Sequence, residues 1–209
     1  MLVAHPERRR YHRAMARRAA RRATSARPEA RPSDTAAKLV AAATKEFNRR
    51  GFDGTDTNRI ARQAGFAPQT FYRWFRDKTA IFVAVYRAWE DEEQRVVARM
   101  LAEHAPMAEL VRAIGEHHRA YRIFRRSLRQ LAVEEPVVRE ARAASRKRQV
   151  ERIQRWSGLK TRSPAEIVAL LLQIERLCDA IAEGEFVDLG IDDETGRANI
   201  VALLAQLRG

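Results

Sequence analysis

Cysteine, glycine and lysine are all scarce in this 209-residue chain, and each scarcity excludes something. The single cysteine, Cys178, rules out an internal disulfide and a cysteine cluster for structural zinc, and it fits a reducing cytoplasm. Glycine and proline are sparse after residue 78 and no stretch alternates as a strand does, so the class expected is all-α. No run approaches the roughly 20 apolar residues of a membrane helix. The first residues lack the apolar middle of a signal peptide. Neither a glycine-rich phosphate loop nor a nucleophile elbow is present. His104, His117 and His118 lack metal-ligand spacing with a carboxylate on the same face. We therefore expect no catalytic residue, no metal and no cofactor.

What is abundant is arginine. The formal net charge is +13, and only five of the forty basic residues are lysine, a bias that suits a GC-rich bacterial genome. Residues 1–33 hold ten arginines against two glutamates and so carry +8 of the total. Such an arm adds salt-dependent, sequence-independent affinity for DNA, and in a sharper version it reaches into the minor groove. Arginine and alanine would also allow a helix over residues 6–23. A true start downstream at Met15 and an organellar transit segment are the alternatives.

Thr57 to Lys78, TNRIARQAGFAPQTFYRWFRDK, carries the densest signal. Ile60, Ala61 and Ala64 form a narrow face that small alanines let a second helix approach. Gly65 follows where a helix end needs positive φ. Phe66 anchors the turn, and Pro68 suits the first turn of a new helix. Phe71 and Phe75 point inward, which leaves Gln69, Thr70, Arg73 and Trp74 outward and Tyr72 at the edge. Glutamine reads adenine edges, while Thr, Tyr, Trp and Arg reach phosphates or bases. The spacing predicts a helix-turn-helix; an ordinary helical hairpin with a polar face is the plain alternative.

Residues 35–86 resemble the N-terminal domain of the TetR family of transcriptional regulators. The matching pieces are AAATKEF at 41–47, GF at 51–52, IARQAGF at 60–66, TFYRWF at 70–75, and Lys78. The resemblance implies a three-helix DNA-binding head on an α-helical body that dimerises and binds a small-molecule effector. It divides the chain into a basic extension at 1–33, a head at 34–80 and an effector-binding and dimerisation domain at 81–209. Carried over position by position, it makes Thr57, Asn58, Pro68, Gln69, Thr70, Tyr72, Arg73, Trp74 and Lys78 the DNA-contacting set. Lys78 matches a phosphate-binding lysine. Phe47, Ile60, Phe66, Phe71 and Phe75 are core. Three positions depart from the family pattern. Asp56 stands where Ser or Thr is usual and caps well but repels phosphate mildly. Ala67 removes a cap, and Gln69 replaces a small residue.

The body reads as helices over 79–104, bent or broken near Glu90–Glu93, then 107–119, 121–133, 136–157, 166–183 and 194–207. Arg119, Arg122, Arg125, Arg126 and Arg129 form a stripe opposite Tyr121, Phe124, Leu128 and Leu131; a solvated face is expected, with an acidic ligand or a second DNA surface as the alternative. Arg146, Lys147, Arg148, Arg152 and Arg155 make the next helix basic on its outside. Ser163-Pro164-Ala165-Glu166 is a helix start signal. The candidate effector-lining residues are Trp89, Met100, Tyr121, Phe124, Trp156 and Gln173. In the family the last two long helices pair with their copies in a homodimer, and two apolar helices at the C-terminus fit that role. The expected function is a cytoplasmic repressor that binds a palindromic double-stranded operator and is released by an effector. A non-specific nucleic-acid-binding protein driven by the basic tail is the alternative, and a sensor acting through a protein partner is a third class.

Overall fold

The computed structural model describes residues 32–156 and 162–208, so the expectations for residues 1–31 lie outside it. Among the described residues there are ten helices and no strand. They are α1 (Pro32–Arg50), α2 (Thr57–Gln63), α3 (Pro68–Tyr72), α4 (Lys78–Ala102), α5 (Met107–Ala120), α6 (Arg122–Glu134), α7 (Pro136–Trp156), α8 (Pro164–Glu183), α9 (Glu185–Asp188) and α10 (Asp193–Arg208). One compact unit ends at Ala37, and a second runs from Lys38 to Gly209; everything below concerns the second.

Local chemistry sets the helix ends. Asp56 and Asp77 cap α2 and α4, their carboxylates accepting from the Arg59 and Ala80 amides at 2.7 Å. The start signal at residue 163 is a full capping box: the Ser163 hydroxyl accepts from the Glu166 amide, and the Glu166 carboxylate accepts from the Ser163 amide at 2.8 Å. Gly184 ends α8 at φ +85°, a conformation that favours glycine.

Two apolar cores form. The first joins Leu39 and Phe47 of α1, Ile60 of α2 and Phe71 of α3 to Phe82 and Trp89 of α4 and Phe124 and Leu128 of α6. Each fully buried ring contributes roughly 1.5–3 kcal/mol. Helices α1, α2 and α3 do not close this core alone; α4 and α6 complete it. Phe124, Leu128 and Leu131 are buried, as their shared face requires. The second core joins Val111 of α5, Val150 of α7, Ile200 of α10, and Ile167, Ile174, Cys178 and Ile181 of α8. Cys178 is 1% exposed, and burial pushes its thiol pKa up to about 12.

Two sequence expectations change. The acidic run Glu90–Glu93 does not break α4, which runs unbroken from Lys78 to Ala102. Glu90 is instead buried and receives Arg148 at 2.6 Å and Arg152 at 3.6 Å, so its charge is matched inside the bundle. Nor is the α6 arginine stripe a solvated face throughout. Arg125 is 2% exposed and donates to Asp179 through Nε at 2.7 Å and Nη2 at 3.1 Å. Arg129 pairs with Asp179 and Glu183, and Arg126 with Glu183. On α7, Arg146 likewise turns inward to Glu175, whereas Lys147 and Arg155 are exposed as expected.

The centre of the body is therefore ionic. His118 of α5 lies between Glu93 of α4 at 2.9 Å and Asp179 of α8 at 3.2 Å. The Arg125 guanidinium also sits 4.5 Å over the Trp89 ring, which stacks on His117. Burial raises the Asp179 carboxyl, but hydrogen bonds from His118 and Arg125 outweigh it and hold the group well below the usual carboxylate range. Burial likewise raises the Glu93 carboxyl, but His118 and Arg125 outweigh it and the group is also lowered.

Candidate nucleic-acid interface

Helices α2 and α3 pack through Ile60, Ala61 and Phe71, all 0% exposed. Gly65 makes the turn between them at φ +80°, with its amide donating to Arg62 O and the Phe66 amide to Ala61 O. Helix α3 begins at Pro68 behind Ala67, which supplies no side-chain cap, as its chemistry requires. The buried rings fix α3 from behind. It carries Gln69 and Tyr72 exposed, with Pro68 and Thr70 half-buried, and Arg73 and Trp74 follow it, also exposed. Tyr72 and Trp74 are 57% and 39% exposed, a large aromatic area at the surface.

The structure joins some candidates and separates others. The Thr57 hydroxyl at the start of α2 lies 2.9 Å from the Tyr72 hydroxyl at the end of α3, so the two helices present one continuous polar edge. Asn58 is exposed beside Thr57. Trp74 lies past the end of α3, in the turn whose Trp74 and Phe75 amides both donate to Phe71 O.

Lys78 is held in place by the fold. Its ammonium donates to Phe52 O at 2.8 Å and Thr55 O at 3.1 Å, and lies 4.0 Å over the Phe52 ring. It thereby clamps the α1–α2 loop to the start of α4 and leaves one N–H for another acceptor. Thr55 braces the same loop from inside, its hydroxyl donating to Gly51 O at 2.9 Å. Gly54 is required there because a Cβ would come within 2.5 Å of Arg50 O. Sequence reasoning missed this bracing role; the signal available was Gly51, Gly54 and Thr55 crowded before a capped helix.

The six candidate effector residues do not share one environment. Trp89 and Phe124 are buried in the first core, with Tyr121 packed against it. The Tyr121 hydroxyl donates to Glu92 at 2.8 Å, and burial together with that bond pushes its pKa up to about 12. Met100 is half-buried, and Gln173 is exposed and donates to Ala169 O of its own helix. The Trp156 side chain lies outside the described residues. Two concavities, of about 130 and 290 Å³, are lined by none of the six. The first is edged by Arg112, Arg119 and Arg197, the second by Leu177, Phe186 and Leu189. Also missed was the central ionic cluster. Its signal was present: Arg125 and Arg129, Arg142 and Arg146, and Glu175, Asp179 and Glu183 each repeat at four-residue spacing on three successive long helices. Among the described residues no group of His, Cys, Asp and Glu is arranged to hold a metal ion, and no helix is long and apolar enough to cross a membrane.

Comparison with known proteins agrees with this geometry. A curated relative, the uncharacterized HTH-type transcriptional regulator YdgC of Bacillus subtilis (strain 168), is 30% identical over 71 residues. That match spans 34% of this chain and 36% of the relative, about a third of each. A Rhodococcus sp. protein assigned to the TetR family of transcriptional regulators is similar in structure, with a TM-score of 0.65 at 18% identity over 85% of this chain and 100% of that one. The multidrug binding protein EbrR complexed with ethidium gives a TM-score of 0.63 at 20% identity over 83% of this chain and 99% of that one. At such identities the likeness establishes the fold. Residues 39–85, which hold α2 and α3 and the start of α4, match the model described as bacterial regulatory proteins, tetR family.

Proposed function

We propose that the chain is a DNA-binding transcriptional regulator that recognises a palindromic operator as a homodimer. One observation carries this: a short helix held rigidly by buried Phe71, with Gln69, Thr70, Tyr72 and Arg73 on its outer side and Thr57 and Asn58 alongside. A helix so displayed fits a major groove, and its residue types suit base edges and phosphates. One such helix reads only a few base pairs. Two copies about a two-fold axis read half-sites roughly 34 Å apart.

The pairing surface we propose is α8 with α10. Leu172 is 51% exposed on α8, and Leu177, Val201, Leu203 and Leu204 are only partly buried. Repression, release by a small-molecule effector bound in the body, and a cytoplasmic location complete the proposal. An effector acts only by binding one arrangement of the two heads better than another.

Selection of bound DNA from a random pool, with and without residues 1–33, tests the proposal. A palindromic consensus retained by the shortened chain is expected. Binding to the selected site no tighter than to random duplex at physiological salt sinks it and favours a non-specific binder driven by the arginine-rich tail. A sensor acting through a protein partner would keep its activity after Gln69→Ala and Tyr72→Ala, which a DNA reader would not.

A further inference from the structure

Helix α7 meets α8 through charge. Val138 and Val150 are buried towards its two ends and Ala141 packs against the first core, but Arg142, Ser145 and Arg146 between them also face inward. Three guanidinium groups converge there on the single carboxylate of Glu175. Arg125 and Arg142 donate to Oε1 at 2.9 and 3.0 Å, and Arg146 donates to Oε2 and to Gln149. Arg125 is already matched by Asp179. Among the described residues, Arg142 and Arg146 have only Glu175 as a carboxylate partner, so two cations share one anion.

As packing, this seam is a poor solution. A buried ion pair offsets its desolvation only when the charges are well matched, and apolar residues of the same volume usually do as well or better. As a receptor, it is a good one. Two guanidinium forks offer parallel N–H pairs of the kind that bind carboxylate or phosphate oxygens in a bidentate manner. The seam is also within reach of solvent: the Arg142, Arg146 and Glu175 side chains are 25%, 20% and 17% exposed. The flexible glutamate can leave the forks while keeping its bond to Arg125.

We infer that the α7–α8 seam binds a small oxyanion, a carboxylate or a phosphate, and that Glu175 is its built-in competitor. The anion takes the donors of Arg142 and Arg146, supplies the missing negative charge and frees Glu175 from α7. Only the regulatory consequence rests on the regulator reading: freeing Glu175 loosens α7 from α8, one of the two helices proposed to pair.

The test uses the full chain without DNA, so its outcome is independent of whether an operator exists. Thermal unfolding and titration calorimetry compare sodium phosphate and sodium acetate with sodium chloride at matched ionic strength. One or both oxyanions should raise the Tm beyond the chloride control, and which does so identifies the class. Glu175→Gln should tighten that binding about tenfold by removing the competitor, and the Arg142→Gln, Arg146→Gln double variant should abolish it. No oxyanion-specific rise in either the wild type or Glu175→Gln overturns the inference, as does an effect that survives loss of both arginines. If Glu175→Gln does not fold by circular dichroism, Arg142→Lys with Arg146→Lys replaces it. That pair keeps the charge but removes the forks, so it should stay within about 4 °C of wild type in chloride and bind the oxyanion about tenfold more weakly. Unchanged affinity in the lysine variant likewise overturns the inference.

Discussion

The Thr57 and Tyr72 hydroxyls lie 2.9 Å apart, one opening α2 and the other closing α3. The bond orients an exposed tyrosine whose ring otherwise meets Phe71 edge-on. Tyr72→Phe removes the hydroxyl alone and should weaken operator binding by about 1 kcal/mol, roughly fivefold. Thr57→Val should cost a similar amount. The double variant should cost clearly less than the sum, because each single change already breaks the shared bond. Quantitative gel shifts on the selected operator measure all three, and strict additivity would show that the hydroxyls act independently.

Lys78 offers a different expectation. Lys78→Met strips the donor from Phe52 O and Thr55 O and the cation from the Phe52 ring. It should destabilise the chain by about 1–3 kcal/mol in urea unfolding. A variant of unchanged stability that nonetheless lost DNA affinity would assign Lys78 to phosphate alone.

At the centre of the body, Arg125→Met leaves Asp179 and Glu175 without their innermost cation. The expected cost is about 3–5 kcal/mol, the range for breaking a buried pair from one side. Adding Asp179→Asn should recover part of it. A cost below about 1 kcal/mol would mean that the surrounding arginines compensate fully.

The same cluster fixes the direction of pH dependence. Burial acts against ionisation of Asp179, Glu93 and Glu175, but the facing cations outweigh it and all three are lowered. Their contribution is therefore present above the unfolded carboxylate range near 4 and is lost as pH falls through the lower folded values. Burial also lowers His117, against the pull of Glu93 and Glu92. For a histidine lowered by folding, the unfolded chain binds the extra proton first, so stability falls as pH drops below about 6.5. Urea midpoints should thus decline in two stages on acidification, with the upper stage absent in His117→Phe. A midpoint that rises between pH 7 and pH 5 contradicts the His117 assignment, and one that does not fall below about pH 4 contradicts the carboxylate assignment.

Much of the head was legible because its constraints are local. The cap at Asp56, the turn at Gly65 and the inward rings at Phe71 and Phe75 depend on residues a few positions apart. The capping box at Ser163 was readable for the same reason. The body's ionic centre left only the four-residue spacing of its charges as a trace, because its partners are distant in the chain. Arg125 meets Asp179 across 54 positions, and His118 meets it across 61. Nothing within α6 separates an arginine that faces water from one that faces a carboxylate on α8. Lys78 falls between these cases: its place in the motif was visible, but its two carbonyl partners depend on how the α1–α2 loop folds back.

The lone buried thiol has a practical consequence. Cys178 lies in the second core with Ile174, Ile181 and Ile200, and a pKa near 12 leaves almost no thiolate at neutral pH. A disulfide reagent such as Ellman's will therefore be blind to the native chain and will report each opening of α8 as one equivalent of colour. The chain carries its own clock for that motion, and the rate can be followed without an engineered label.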